Sequence, residues 1–235
     1  VNLLIPFIWM TGGEIMTTRG ELTLERHSDE VAKALSFLQE ITVNRRSYLP
    51  QDVYRGSWWH LARFFARGDV PMAVGGSYEW PRIREESEWE DETDAVEHLA
   101  FALLPRPTAD TPPVGSLGGT SWAIFEQSAV HEPAVEILKM MALADTSAEF
   151  CADYLQISPY RSVNRKLATA KHPWLSEVVP LLAHARSRPL VPSYIYVSNL
   201  LQEMFEDVLW EGIEPEAAVD KTAQALSVVL STRLP

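Results

Sequence analysis

Two proline clusters set the strongest limit on how this chain folds. Pro105, Pro107, Pro112 and Pro113 crowd one stretch, and Pro189 and Pro192 another. Proline lacks a backbone N–H and has a fixed φ, so neither a helix interior nor a central strand runs through such a stretch. The first cluster reads as a turn-rich connector and the second as a break. Ahead of them, the apolar run Val1–Met10 predicts a buried helix closed by Gly12-Gly13. Ser28-Asp29-Glu30 predicts an N-cap with acids in the first turn, opening a helix over 28–43 whose face is Val31, Leu35, Leu38 and Ile41. Trp58, Leu61, Ala62 and Phe65 mark a further helix, with Gly68 at its C′ position. Short apolar runs at 71–74, 98–104 and 121–125 predict three strands.

The remainder is helical in pattern. Pro133 opens a helix with Ile137, Leu138, Met141 and Ala142 on one face, and helices are expected around 147–156 and 175–186. An amphipathic helix over 196–211 and a last one from Pro215 follow the second proline cluster. The fold class is α/β, with few strands and a helical excess. Residues 84–97 carry eight acids against one base, Arg84, and like charges at that density predict a solvated loop or an exposed helix.

Composition removes several classes of function. Thirty-two acids against twenty bases give a net charge of −12, which argues against a nucleic-acid partner and an anionic membrane surface. A single cysteine, Cys151, makes no internal disulfide and no cysteine-based zinc site. The apolar start has no basic n-region and no small-residue cleavage site, so it does not read as a signal peptide. Its abrupt, uncapped beginning leads us to expect natural sequence upstream of Val1.

Catalytic patterns are absent. There is no G-x-S-x-G elbow and no P-loop, and Gly115, Gly118 and Gly119 do not form G-x-G-x-x-G. The histidines at 27, 60, 98, 131, 172 and 184 are scattered, so no metal is expected. Cys151, in an apolar helix, reads as an inert core thiol. Aromatic rings beside glycine turns are more informative. Gly75-Gly76-Ser77-Tyr78-Glu79-Trp80 places two large rings just past an expected strand end, where α/β sheets bind ligands. A pyranose presents a C–H face to such a ring and hydroxyls to polar groups. Gly118-Gly119-Thr120-Ser121 offers close backbone approach. Packing in the core is the competing reading for Tyr78 and Trp80.

In order along the chain, several stretches resemble the C-terminal part of the family 1 extracellular solute-binding proteins of ABC transporters, the group that includes maltose-binding protein. Trp9–Ile15 resembles the family's apolar helix ending in Gly-Gly, and Leu22-Thr23-Leu24 its short strand before the 28–43 helix. Phe64–Tyr78 is the most specific: it resembles the run that ends in glycine, a small residue and an aromatic, with Pro71 where alanine is usual. Leu103-Leu104-Pro105, Ser116–Ile124, Pro189–Tyr194 and Gly212–Ala218 resemble, in turn, the strand and its proline, the hinge-crossing glycine pair, the proline-flanked tyrosine segment and the start of the last helix.

The resemblance implies a periplasmic-binding-protein-like fold of type II, of which this chain is the second lobe, with the first lobe largely missing. It assigns residues 1–115 and 160–235 to the second lobe and 116–159 to a hinge-crossing helical segment of the incomplete first lobe. It implies the non-catalytic, cofactor-free substrate-binding component of an importer, extracytoplasmic, gripping a sugar, oligosaccharide or polyol and delivering it to the membrane subunits of an ABC permease. By the same resemblance Tyr78 is the stacking aromatic with Trp80 beside it. Gly118, Gly119 and Thr120 line the cleft, and Tyr194 and Asn2 are contacts. Two other readings are a non-binding remnant that dimerises through its exposed lobe face, and a carbohydrate-active enzyme using Glu79 and Glu85.

Overall fold

The computed structural model describes residues 4–44 and 58–233. In chain order the elements are α1 (Ile5–Met10), α2 (Ser28–Gln39), α3 (Trp58–Ala66), α4 (Trp80–Glu86), α5 (Glu92–His98), β1 (Gly115–Leu117), α6 (His131–Met141), α7 (Ala144–Asp153), α8 (Arg161–Ala170), α9 (Trp174–Val178), β2 (Ala185–Ser187), α10 (Tyr194–Leu209) and α11 (Pro215–Arg233). They fall into two compact units. Among the described residues the first takes 4–44, 103–117 and 184–233, and the second takes 58–102 and 118–183.

The first unit is built on α2, α10 and α11. Val197, Leu201, Met204 and Val208 recur at helical spacing along α10, and all are fully buried against Val31 and Leu35 of α2 and Val219 and Leu226 of α11. Burial of each such side chain stabilises the unit by roughly 2 kcal/mol. Gln39 Nε2 donates to the Val208 carbonyl at 3.3 Å, and Lys221 pairs with Asp207 at 2.6 Å, tying α10 to both partners. The α1 helix ends at Gly12, whose φ of +84° suits a residue without a Cβ. β1 and β2 form a parallel pair, Gly115 opposite Ala185 and Leu117 opposite Ser187. The chain leaves the first unit just after β1 and returns just before β2.

The second unit has an aromatic core. Trp80 of α4 stacks on Trp174 of α9 with ring centroids 5.5 Å apart, and Phe101 meets Trp80 edge-on at 5.6 Å. Ala95, Cys151, Val163, Leu167 and Leu175 pack around them. A buried polar chain joins α7 to α8: the Ser147 and Ser158 hydroxyls lie 2.7 Å apart, and Asn164 accepts from Ser158 N–H at 2.7 Å and donates to its carbonyl at 2.9 Å. Within the acidic stretch, Asp91 caps α5 by accepting from Thr93 and Asp94 N–H at 2.7 and 2.9 Å, so part of that charge is used where a helix N-terminus favours it.

Several sequence expectations fail. None of the three predicted strands forms. Residues 71–74 are exposed and irregular, with Pro71 unable to donate to a ladder. In 98–104, His98 ends α5 and Phe101 turns into the aromatic core instead of a sheet. In 121–125, Trp122 and Phe125 are solvent-exposed, and the strand stands earlier, at 115–117. Ser28 is the first helical residue of α2 and makes no cap bond, because a 3₁₀ turn over Leu24–His27 leads into the helix. The helix expected over 175–186 stops at Val178, before Pro180, and continues as 3₁₀. α8 was not expected: it is mostly polar, and its narrow buried stripe is Val163, Asn164 and Leu167. The α6 face at Ile137 is exposed instead of buried. Residues 58–102 group with 118–183 because Trp80 and Phe101 share a core with Trp174.

Candidate ligand site

The turn between α3 and α4 is the best-organised candidate. Gly68, with φ +75°, terminates α3 as expected. The backbone then runs exposed to Gly75 and enters a 3₁₀ turn, Ser77–Glu79, that leads into α4 with Pro81 in its first turn. Two residues along such a helical start rotate a side chain by more than half a turn, so Tyr78 and Trp80 point to opposite sides. Tyr78 is 54% exposed, whereas Trp80 is 1% exposed. Tyr78 is therefore not the core-packed ring of the competing reading. Trp80 is such a ring, a core residue stacked on Trp174.

Space explains the two glycines here. A Cβ on Gly75 would lie 1.9 Å from Glu79 Oε2, and one on Gly76 would lie 2.1 Å from the Tyr78 ring. The Gly76 backbone is extended, with φ −109°, so no dihedral bars a larger residue; a Cβ there would make the Tyr78 ring move, and one on Gly75 the Glu79 carboxyl. Glu79 is buried, 4% exposed, under the turn. Burial pushes its pKa up to about 7, and a hydrogen bond from the Gly76 backbone N–H only partly offsets that. Tyr78 is raised as well, first by burial and then by the nearby Glu79 charge.

The other expected residues are placed as follows. Gly118, Gly119 and Thr120 are exposed directly after β1, and nothing lies within 4 Å of a Cβ built on either glycine, so that backbone is open to a ligand. Tyr194, in the first unit, opens α10 half-buried, with the Arg188 guanidinium 5.2 Å from its ring. Burial raises its pKa, opposed by Arg188. The cavity beside it measures about 10 Å³, room for one water and no sugar. Asn2 lies outside the described residues. Glu79 and Glu85 sit in opposite environments: Glu85 is exposed and paired to Arg82 at 2.7 Å.

Sequence reading missed a second aromatic–cation group in the first unit. Arg186 lies 4.8 Å from the centre of the Trp9 ring and pairs with Glu14 at 2.5 and 2.6 Å. The available signal was the two-residue spacing of Arg186 and Arg188 beside the proline break. An open depression of about 650 Å³ in the second unit is lined by Arg84, Glu85, Glu90, Asp91 and Lys171, among others, with no aromatic ring in its walls. Among the described residues no cluster of three His, Cys, Asp or Glu is placed to hold a metal ion. No described helix is long and apolar enough to cross a membrane.

No protein-family model matches the chain. Its fold is that of sugar-binding proteins of known structure. A maltose-bound MalE3 from T. maritima superposes with a TM-score of 0.81 at 22% identity, over 96% of this chain and 56% of that one. An ABC transporter solute-binding protein from Thermotoga lettingae, bound with alpha-D-tagatose, gives a TM-score of 0.80 at 22% identity, over 97% and 56%. The maltose/maltodextrin-binding domain MalE from Bdellovibrio bacteriovorus, bound to maltotriose, gives 0.74 at 14% identity, over 97% and 57%. The chain therefore spans a little over half the length of the structures it matches. Both the helix-rich architecture and the small sheet agree with the fold expected from sequence.

Proposed function

We propose that this chain is the solute-gripping part of an ABC importer's substrate-binding component, extracytoplasmic and non-catalytic, that hands a sugar or related polyol to the permease. The observation that carries this reading is the superposition of nearly the whole chain on structures holding maltose or tagatose. Within the chain, Tyr78 is the ring on which a pyranose C–H face stacks, worth on the order of 1 kcal/mol beyond its buried area. Gly118, Gly119 and Thr120 supply backbone groups for hydroxyls where no side chain obstructs approach. Calorimetric titration of the folded chain with maltose and with tagatose tests the reading. Saturable heat with either sugar, lost in Tyr78→Ala, is the expected result. Absence of heat with both would count against it.

A further inference from the structure

One stretch of the second unit leaves its apolar side chains bare. Trp122 and Phe125 are 68% and 83% exposed, and α6 buries no residue at all. Pro133, Ile137 and Met140 recur on one face of that helix and all are exposed, as is Leu143 beyond its end. A helix with a bare apolar stripe and no buried residue is a helix without a partner. The backbone just before it is unpartnered too. Residues 121–124 make no backbone hydrogen bond to any described residue. Trp122, Ile124 and Phe125 are residue types that suit a strand. Sheet edges that stay in water are guarded by charges or prolines, and 117–125 contains neither.

We propose that 121–124 and the outer face of α6 form a docking surface for a folded polypeptide that adds a strand to 121–124 and lays an apolar face on α6. The occupant we assign is the counterpart of what the matched structures hold beyond this chain: more than two-fifths of each has no equivalent in these 235 residues. Strand addition supplies main-chain hydrogen bonds, and Trp122 and Ile137 supply the side chains that enter apolar pockets on the partner. Charge argues against a second copy of this chain. Glu126, Glu132 and Glu136 flank the surface, and its one lysine, Lys139, is already paired to Glu136 at 2.7 Å. Two such faces, each on a chain of net charge −12, would set acid against acid. A partner with a neutral or basic rim meets no such cost. Pairing over 121–124 leaves Gly118–Thr120 free, so this surface does not rest on the solute reading above.

The probe is the part of T. maritima MalE3 that this chain does not cover, produced as a separate polypeptide and mixed with the full chain. The expected result is a one-to-one complex in sedimentation, with amide hydrogen exchange at 121–124 slowed by about a hundredfold or more. Both effects should vanish in the double variant Trp122→Ser, Ile137→Glu. Its two side chains are exposed, so its melting curve alone should match the wild type. Fast exchange at 121–124 with no complex overturns the proposal. So does a homodimer that protects this segment, which would name a second copy as the occupant, and so does protection already present in the lone monomer. A fusion of the two polypeptides covers the case of weak affinity: fast exchange at 121–124 in the fusion as well overturns the proposal.

Discussion

The two compact units meet the demand for a dry interior differently. In the first, aliphatic side chains from α2, α10 and α11 interlock, and among the described residues its buried side-chain polar atoms without a partner are Ser193 Oγ and Tyr194 Oη at the start of α10. In the second, the core is built on Trp80 and Trp174, whose indole N–H groups are buried without a partner, as is His172 Nε2. A buried polar group left unpaired costs about 1–3 kcal/mol. Glu79 and the open Gly118–Thr120 backbone belong to this second unit as well. The difference teaches that stability and candidate function are unevenly shared: one unit is optimised for packing, the other tolerates groups that packing alone would reject.

The largest expected effect breaks the well-packed side. Leu201→Ala leaves a cavity among α2, α10 and α11 and should cost about 3 to 4 kcal/mol in urea unfolding. A loss under about 1 kcal/mol would mean that this core is not the tighter one.

Next comes the pH dependence of the second unit. Glu79 binds its proton more tightly when folded, about 7 against 4.5 for the free side chain. Its contribution is therefore whole below 4.5 and is lost as pH rises through about 7, a fall on the order of 3 kcal/mol. Melting temperature measured against pH should show that decline in the wild type and not in Glu79→Gln.

Gly75→Ala sharpens the comparison further. Its new methyl group collides with the Glu79 carboxyl, so about 2 kcal/mol should be lost. The same change made in a Glu79→Ala background should cost almost nothing, a non-additivity expected only of groups in contact. Purely additive losses would show that the carboxyl does not sit where described. The smallest effect concerns Trp174→Phe, which sheds an unpaired donor along with some apolar area. It should move stability by about 1 kcal/mol or less, in contrast to the aliphatic truncation above.

Much of the helical scaffold could be read directly. Val31, Leu35 and Leu38 on α2, and the capping glycines Gly12 and Gly68, are local signals that the structure keeps. The strands were not legible, because short apolar runs such as 98–104 have no period that separates a ladder from a loop feeding an aromatic core. Of the site, the Gly75–Tyr78 turn was legible from its composition. That Trp80 turns inward is set by where α4 begins, a boundary that sequence locates poorly. The burial of Glu79 depends on the close approach of Gly75, which only the folded backbone defines.

Most direct for the account as a whole is the aromatic signal of Tyr78 in the folded chain as maltose is added to millimolar levels. A saturable shift centred on Tyr78 and its neighbours in the 75–79 turn is what solute stacking requires. A spectrum unchanged there, with the chain demonstrably folded, would contradict the claim that this turn presents a ring to a sugar.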